Sequence, residues 1–220
     1  MPLLGKDGAQ HFKRAALSIM PALLDVLEAL PTDRPGIRLH GHPELAALLA
    51  ADNSVGSIAA NVLGPKCRAV RAILFDKSPG NNWALGWHQD RTIAVQQRID
   101  HPGFGPWTIK EGMQHVAPPF ALLESMITLR VHLDPVTAYS APLIVALGSH
   151  RLGRIAEGYI ASIVRRHRQL TCLADPGDVW AYATPILHAS EASMDGGTRR
   201  VLQVDYSASD LPGDLDWLGL

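Results

Sequence analysis

The sequence is poor in the features that mark several common protein classes. It has 2 cysteines in 220 residues, Cys67 and Cys172, and no Cys-x-x-Cys pair. This argues against a disulfide framework or a zinc ribbon and suits a reducing cytoplasm. No apolar run approaches the ~20 residues that a membrane-spanning helix needs. Residues 1–13 lack the pattern of a signal peptide. We therefore expect a cytoplasmic protein.

The chain also lacks an excess of charge of either sign. Charged residues make up 19% of the chain and the formal net charge is −1, so neither nucleic acid nor an anionic membrane is indicated as a partner. A hydrophobic content of 47% is ordinary for a soluble globular protein. Repeats, low-complexity tracts and linkers are also missing. We therefore expect residues 1–220 to form a single domain.

The periodicity of apolar residues divides this domain into two parts. In a helical part at 1–64, spacings of three and four predict a helix at 8–30, which Pro21 would kink or split. Two shorter helices are predicted there, at 43–49 and from a cap at Asn53-Ser54 to about residue 63.

In the second part, residues 65–212, short β-rich runs between Gly, Pro and Asp turns predict many short strands. The predicted strands cover residues 67–75, 84–90, 91–98, 107–110, 126–134, 142–147, 169–173, 178–183, 185–189 and 199–206. Helices are predicted near 119–125 and 154–166. The order predicts a mainly β fold, a jelly roll or barrel with the N-terminal helices packed on one side.

One strand carries a candidate metal-binding pattern. His88 and Asp90 stand two apart in Leu-Gly-Trp-His-Gln-Asp, and alternate side chains of a strand share one face. A second histidine from a distant strand, for which His188 is the candidate, would complete three ligands on one side of a metal. Two histidines and one carboxylate with open positions form the facial triad of non-haem iron(II) oxygenases.

The spacing alone is weak. About one His-x-Asp or His-x-Glu is expected by chance in such a sequence, and this chain has three. In His42-Pro43-Glu44 the proline is typical of a first helical residue, so the period-two argument fails there. His132 and Asp134 lie on another predicted strand and remain a rival to His88 and Asp90.

Several segments, taken in order, resemble the phytanoyl-CoA dioxygenase family of iron(II)- and 2-oxoglutarate-dependent oxygenases. The similar segments run over about residues 66–212: Asn82-Trp83, Trp87-His88-Gln89-Asp90, Leu129 to Asp134, Leu147 to Gly153, Pro176 to Val179, and His188-Ala189-Ser190 with Arg199-Arg200 behind it. The resemblance favours His88 and Asp90 over the pair on the later strand. It implies a double-stranded β-helix, the jelly roll of cupin-like enzymes.

The resemblance also implies a set of site residues. His88, Asp90 and His188 would bind Fe(II) and so form the catalytic centre. Arg199 would pair with the far carboxylate of 2-oxoglutarate, since a planar guanidinium can grip a carboxylate with two hydrogen bonds. Ser190 would lie beside it. Arg200 alternates to the opposite face of the strand.

A further set of residues is predicted around these. Arg71 would contact the near carboxylate of 2-oxoglutarate, with a salt bridge at the surface as the alternative. The predicted substrate pocket consists of Thr128, Arg130, His132 and Trp87, although His132 could equally be a buried histidine satisfied by a carbonyl, and Trp87 a packing residue.

The implied reaction hydroxylates an unactivated C–H bond of a small organic molecule, with use of O2 and release of succinate and CO2. The presence of Asp90 argues against a halogenase, which needs that position for chloride. No long basic stretch suggests a site for coenzyme A phosphates, so a small free molecule is favoured as substrate. Ser140-Ala141 and Gln203 depart from the family's usual residues, and such departures would alter the substrate pocket.

Two other classes of protein remain open. A jelly-roll hydrolase or isomerase could use the same metal ligands without 2-oxoglutarate, and it would have no need of Arg199. A non-catalytic binding protein could retain the fold, and failure to bind any divalent metal would favour it.

Overall fold

The structure is a computed structural model that describes residues 4–30, 34, 36–78, 80, 82–194 and 197–220. Its helices are α1 Leu4–Asp7, α2 Met20–Glu28, α3 Pro43–Leu48, α4 Gly56–Leu63, α5 Phe120–Glu124 and α6 Glu157–Arg166, with a 3-10 helix at Ser149–Leu152. Its strands are β1 Ala9–Phe12, β2 Gly36–Leu39, β3 Arg68–Lys77, β4 Leu85–His88, β5 Ile93–Val95, β6 Trp107–Lys110, β7 Met113–Val116, β8 Ile127–His132, β9 Leu143–Ala146, β10 Gln169–Cys172, β11 Val179–Ala183, β12 His188–Ser190 and β13 Arg199–Ser207.

The strands form three antiparallel sheets. The largest has six strands in the order β1-β11-β8-β13-β3-β2, and a four-stranded sheet has the order β10-β9-β12-β4. A small third sheet, β5-β7-β6, completes the set. The predicted mainly β fold with flanking helices is confirmed. Of the helices in the described ranges, none combines the length and the apolar character that crossing a bilayer requires.

The six-stranded sheet separates an apolar layer from a polar interior. In β8, Ile127, Leu129 and Val131 pack in one hydrophobic cluster with residues of α2, α3 and α4. The alternate residue Arg130 lines a cavity on the other face of the sheet. Because the helices cover only the apolar face, the polar face is left to form a site between the sheets.

The prediction of one helix over residues 8–30 is wrong at its beginning. Residues 9–12 form β1, which pairs with β11 from Ala9–Tyr182 to Phe12–Val179. Gly8, at φ +78°, precedes this strand. The backbone of β11 needs a partner at the edge of the sheet, and this long-range pairing overrides the local helical pattern. The helix itself begins later, and Pro21 stands in its first turn instead of kinking it.

The description of residues 1–64 as a helical part is corrected in the same way. Besides β1, this part contributes β2, so it supplies both edge strands of the six-stranded sheet. Residues 68–77 are therefore the third strand of the chain and not the first. The apolar stripe of α2 was read correctly, because Met20, Leu23 and Leu27 are buried in the core.

Smaller differences lie at the ends of elements. Helix α4 begins after Val55 and has no side-chain cap among the described residues, so Asn53-Ser54 is not its cap. The strand predicted at 185–189 begins only at His188, because residues 184–186 form a turn. Strand β7 was not predicted; it pairs with β6 through a tight turn at Glu111 and Gly112, both with positive φ.

Candidate metal centre

The two candidate histidines are brought together by the pairing of two short strands. In the antiparallel pair β4–β12, His88 and His188 are direct register partners. Their ring centroids are 4.2 Å apart. Strand β12 is held on its other side by β9, so His188 lies in the interior of the four-stranded sheet. The register therefore fixes a pair of imidazoles that are 100 positions apart in the sequence.

Asp90 completes the group although it lies two residues beyond the end of β4. One ligand atom from each of His88, Asp90 and His188 lies within 4.8 Å of the others. The alternate residue, Gln89, points into the protein and is 4% exposed. Its amide donates to the carbonyls of Gly153 and Pro185. This anchoring keeps the chain extended past the strand and holds the histidine and the aspartate on the same side.

Both imidazoles are oriented by the backbone. Nδ1 of His88 lies 2.8 Å from the carbonyl oxygen of Gly86, and Nδ1 of His188 lies 3.0 Å from that of Ile186. Because a carbonyl can only accept, each Nδ1 is the protonated donor, which leaves Nε2 with its lone pair. A fixed tautomer with Nε2 free is the arrangement that metal-binding histidines have in proteins. Burial lowers the pKa of His188 to about 4, so its ring is neutral.

The carboxylate of Asp90 is held in its charged form. Burial raises its pKa, but His188, Arg71, His88 and Lys110 outweigh that effect and the net shift is downward. Nη2 of Arg71 lies 3.8 Å from Oδ2 of Asp90 and 2.6 Å from Oδ2 of Asp205. Within the described part of the chain, Oδ2 of Asp90 is buried without a hydrogen-bond partner. Two imidazoles with Nε2 free and a carboxylate whose Oδ2 is unsatisfied are the donor set that iron(II) takes in a facial triad.

A cavity of about 470 Å³ opens beside this group. It lies within the size range of small-molecule sites. Its lining includes all three candidate ligands and Gln89, together with Arg38, Arg71, Ile73, Phe75, Lys77, Trp83, Leu85, Arg91, Thr92, Lys110, Arg130, Leu143, Ala189, Ser190, Arg199 and Gln203. The ligands thus face open space on one side.

Two neighbouring arginines of β13 point in opposite directions. Arg199 is 3% exposed and lines the cavity. Its Nε and Nη1 are buried without a partner among the residues that the structure describes. Burial, with a further contribution from Arg130, lowers the pKa of Arg199 to about 9. Arg200 instead donates from Nε and Nη2 to Asp134 at 3.0 and 2.9 Å. A buried guanidinium with unsatisfied donors fits a carboxylate that enters the cavity.

The other predicted cofactor and pocket residues divide between the cavity and the interior. Ser190, Arg71 and Arg130 line the cavity. The Nε and Nη2 donors of Arg71 are taken up by Asp205, in a buried pair and not a surface salt bridge.

The remaining three do not line this cavity. Thr128 donates to Asp205 at 2.9 Å in the buried interior. His132 is 1% exposed, and both its ring nitrogens lack a partner within the described ranges. It shares a face of β8 with Arg130 but does not line the cavity, and no carbonyl among the described residues accepts from its ring. Trp87 lines a separate, open cleft of about 490 Å³ on the other side of His88.

Among the residues of the site that were not identified from the sequence, three are informative. Gln89 lies between two proposed ligands, and alternation alone could have assigned it to the anchoring face. Lys77 shares a face of β3 with Arg71, and its Nζ donates to the carbonyls of Trp83 and Glu191. Lys110 lies at the end of a correctly predicted strand, but nothing in the sequence indicates that this strand covers the cavity.

The sequence of residues 25–201 matches the profile of the family described as phytanoyl-CoA dioxygenase (PhyH). No curated protein sequence is significantly similar to the chain.

Several solved structures share the fold. EctD from S. alaskensis, solved with 2-oxoglutarate and 5-hydroxyectoine, superposes with a TM-score of 0.68 at 18% identity, over 99% of this chain and 77% of that one. HygX from Streptomyces hygroscopicus, with nickel and 2-oxoglutarate bound, gives 0.62 at 14% identity, over 93% and 84%. The non-heme alpha-ketoglutarate-dependent carbocyclase SnoK from nogalamycin biosynthesis gives 0.62 at 16% identity, over 99% and 85%.

Proposed function

This chain belongs to the phytanoyl-CoA dioxygenase family and is an iron(II)- and 2-oxoglutarate-dependent oxygenase; we propose that His88, Asp90 and His188 are its metal ligands. We further propose that it hydroxylates an unactivated C–H bond of a small organic molecule. A reducing cytoplasm would suit a ferrous enzyme whose two cysteines are buried free thiols.

The observation that carries this proposal is the convergence of three ligand atoms within 4.8 Å beside an open cavity. The hydrogen bonds at Nδ1 of both histidines support it, because they aim Nε2 away from the backbone. The buried, unsatisfied Oδ2 of Asp90 supports it as well, since a metal ion would satisfy that oxygen.

Each part of the site has a separate task. When bound, iron(II) with 2-oxoglutarate and dioxygen supplies the oxidation of the C–H bond, with succinate and CO2 as co-products. His88, Asp90 and His188 hold one side of the metal and leave the other to the cavity. Gln89 keeps the ligand segment extended through its bonds to Gly153 and Pro185.

Arg199 is proposed to bind the far carboxylate of 2-oxoglutarate, and Ser190 to lie beside it. The unsatisfied donors of Arg199 support this, since a buried guanidinium without an acceptor is costly unless a ligand provides one. Contact between Arg71 and the near carboxylate stays a prediction. Arg71 also has a clear positioning role, because it bridges Asp205 and Asp90.

An anaerobic titration of the protein with iron(II) and 2-oxoglutarate tests the proposal. We expect the visible charge-transfer band of a chelated 2-oxo acid, and succinate release when oxygen is admitted. The zinc(II)-loaded protein is the control, because zinc(II) can occupy the same site without giving a charge-transfer band. Metal binding without a band or succinate would favour a hydrolase or isomerase that does not use 2-oxoglutarate. Failure to bind any divalent metal would favour a non-catalytic binding protein.

A further inference from the structure

The cavity beside the metal centre is strongly cationic. Among the described residues, the cavity lining contains one carboxylate, that of Asp90. It contains seven positively charged side chains: Arg38, Arg71, Lys77, Arg91, Lys110, Arg130 and Arg199. A cleft lined by one sign of charge attracts and selects ligands of the opposite sign.

Three of these cations are balanced by carboxylates of the protein. The pairs are Arg38 with Glu111, Arg71 with Asp205, and Arg91 with Glu157. The other four, which are Lys77, Lys110, Arg130 and Arg199, have no carboxylate within ion-pair distance among the described residues. Arg130 instead donates to the side-chain oxygen of Gln203 and lies over the ring of Phe75.

The loaded site would still carry an excess of positive charge. A divalent metal with the carboxylate of Asp90 adds a net charge of plus one, and 2-oxoglutarate brings two negative charges. The two negative charges of 2-oxoglutarate do not balance the four unpaired cations together with the metal. The remaining positive charge would attract a further anion and repel an amine.

The unpaired cations lie in two places. Arg199 and Lys77 are direct register partners in the β13–β3 pair, and Arg130 donates to Gln203 on the same strand as Arg199. Lys110 lies on β6 in the three-stranded sheet and lines the cavity together with Asp90. Burial lowers its pKa, as do Arg71 and Arg38, while Asp90 opposes them.

The turn that follows Lys110 fixes its position. Glu111 accepts hydrogen bonds from both the backbone and the guanidinium of Arg38, and this ties the turn of the β6–β7 hairpin to β2. The ammonium group of Lys110 therefore lines the cavity from a tethered hairpin, near Asp90 but not paired with it. No ion pair of Lys110 is found among the described residues, so its ammonium group is available to an anion in the cavity.

We propose that the primary substrate is a small organic anion, and that Lys110 binds its carboxylate or other acidic group in the cavity. The inference rests on the proposed function, because it takes the buried Arg199 as the site of 2-oxoglutarate. It makes Lys110 a specificity-determining residue.

Inorganic sulfate is a suitable first probe, because it tests the anion site without knowledge of the substrate. The protein is saturated with nickel(II) and 2-oxoglutarate, so that the site of Arg199 is filled, and is titrated calorimetrically with sodium sulfate. Sodium chloride at matched ionic strength serves as the reference. We expect saturable sulfate binding that Lys110→Met weakens by about tenfold. Lys66→Met, which removes an exposed lysine outside the cavity lining, is the matched control and should leave the binding unchanged.

A second experiment tests which charge the ligand must carry and which acidic group the site prefers. Benzoate, phenyl phosphate, benzamide and benzylamine are compared on the same loaded protein by their effect on the charge-transfer band of the anaerobic iron(II) form. We expect one or both anions to perturb the band and the amide and amine to leave it unchanged. Absence of sulfate binding, equal binding by Lys110→Met, or a preference for benzylamine would overturn the proposal. Loss of the band itself would instead contradict the proposed function.

Discussion

Two histidines of this protein stand on strands, each with an aspartate two residues later, yet their surroundings are opposite. His88 is half-buried beside a cavity, with Nδ1 bonded to a carbonyl and Nε2 free, and with His188 directly across the sheet. His132 is sealed in the interior with no partner for either nitrogen among the described residues. Asp90 stays unsatisfied beside the histidines, whereas Asp134 accepts hydrogen bonds from Arg200.

The difference shows what a two-residue spacing does and does not provide. It can direct two side chains to the same side of a strand, but it supplies neither a third ligand nor space for a metal. His88 gains both from β12 and from the polar face of the six-stranded sheet. His132 gains neither: it shares a face of β8 with Arg130 but does not line the cavity, and in the described part of the chain it belongs to no group of potential metal ligands.

The largest expected difference between the two pairs is in metal binding. His88→Ala should weaken the affinity for iron(II) by more than about 100-fold. Mutation of residues that only hydrogen-bond to metal ligands already costs about 10- to 100-fold in affinity. The charge-transfer band and succinate release should then disappear. His132→Leu, at the rival position, should retain the band. A normal band in His88→Ala would refute the ligand assignment.

The two arginines of β13 extend the comparison to the co-substrate. Arg199→Ala should weaken the binding of 2-oxoglutarate by about 2–5 kcal/mol, which is the usual cost of removing one partner of a buried charged pair. Iron(II) binding should be spared. Arg200→Ala removes the neighbouring guanidinium, which faces Asp134, and should leave both affinities unchanged. Titration of 2-oxoglutarate into each iron-loaded variant measures this, and equal losses in the two variants would contradict the role of Arg199.

The buried His132 should make the free energy of unfolding depend on pH. Burial holds the pKa of His132 well below 6.5, with Arg130 and Arg199 contributing. In the unfolded chain the ring takes up a proton as the pH falls through about 6.5, whereas the folded protein does not, so the free energy of unfolding decreases below that pH. For this one group the slope is about 1.4 kcal/mol per pH unit.

His132→Leu removes that contribution. We expect a shallower decrease of stability for this variant than for the wild type between about pH 6.5 and pH 5, in urea denaturation of the metal-free proteins. Above this window the variant should be at least as stable as the wild type, because no unsatisfied ring nitrogens remain. Parallel slopes for the two proteins would mean that His132 titrates normally.

The smallest effect is expected at the second aspartate. Asp134→Ala removes the partner of the Arg200 guanidinium, whose side chain is 40% exposed. Pairs this close to solvent contribute about 0–1 kcal/mol. Urea denaturation should therefore show a loss of that order, with metal and 2-oxoglutarate binding unchanged. Asp90→Ala is the matched variant, and it should abolish iron(II) binding.

Local patterns in the sequence were enough for much of the fold. Alternating residues predicted most strands of residues 65–212, because alternation reports directly which face of a strand is buried. The first strand was missed because the pairing of residues 9–12 with β11 is a long-range contact with no local signal. Alternation also predicted that Arg199 and Arg200 lie on opposite faces of their strand, as the structure has them, whereas the choice of Arg199 for the cavity came from the family resemblance.

The sequence by itself determined the mainly β fold, the approximate positions of most strands in residues 65–212 and the placing of Arg199 and Arg200 on opposite faces of β13, since each depends on spacing along one segment. Only the tertiary structure decided which histidine faces a cavity, that β1 completes the large sheet, and that Lys110 reaches the site. These outcomes depend on the register between segments far apart in the chain, and a strand's own pattern does not specify its partner.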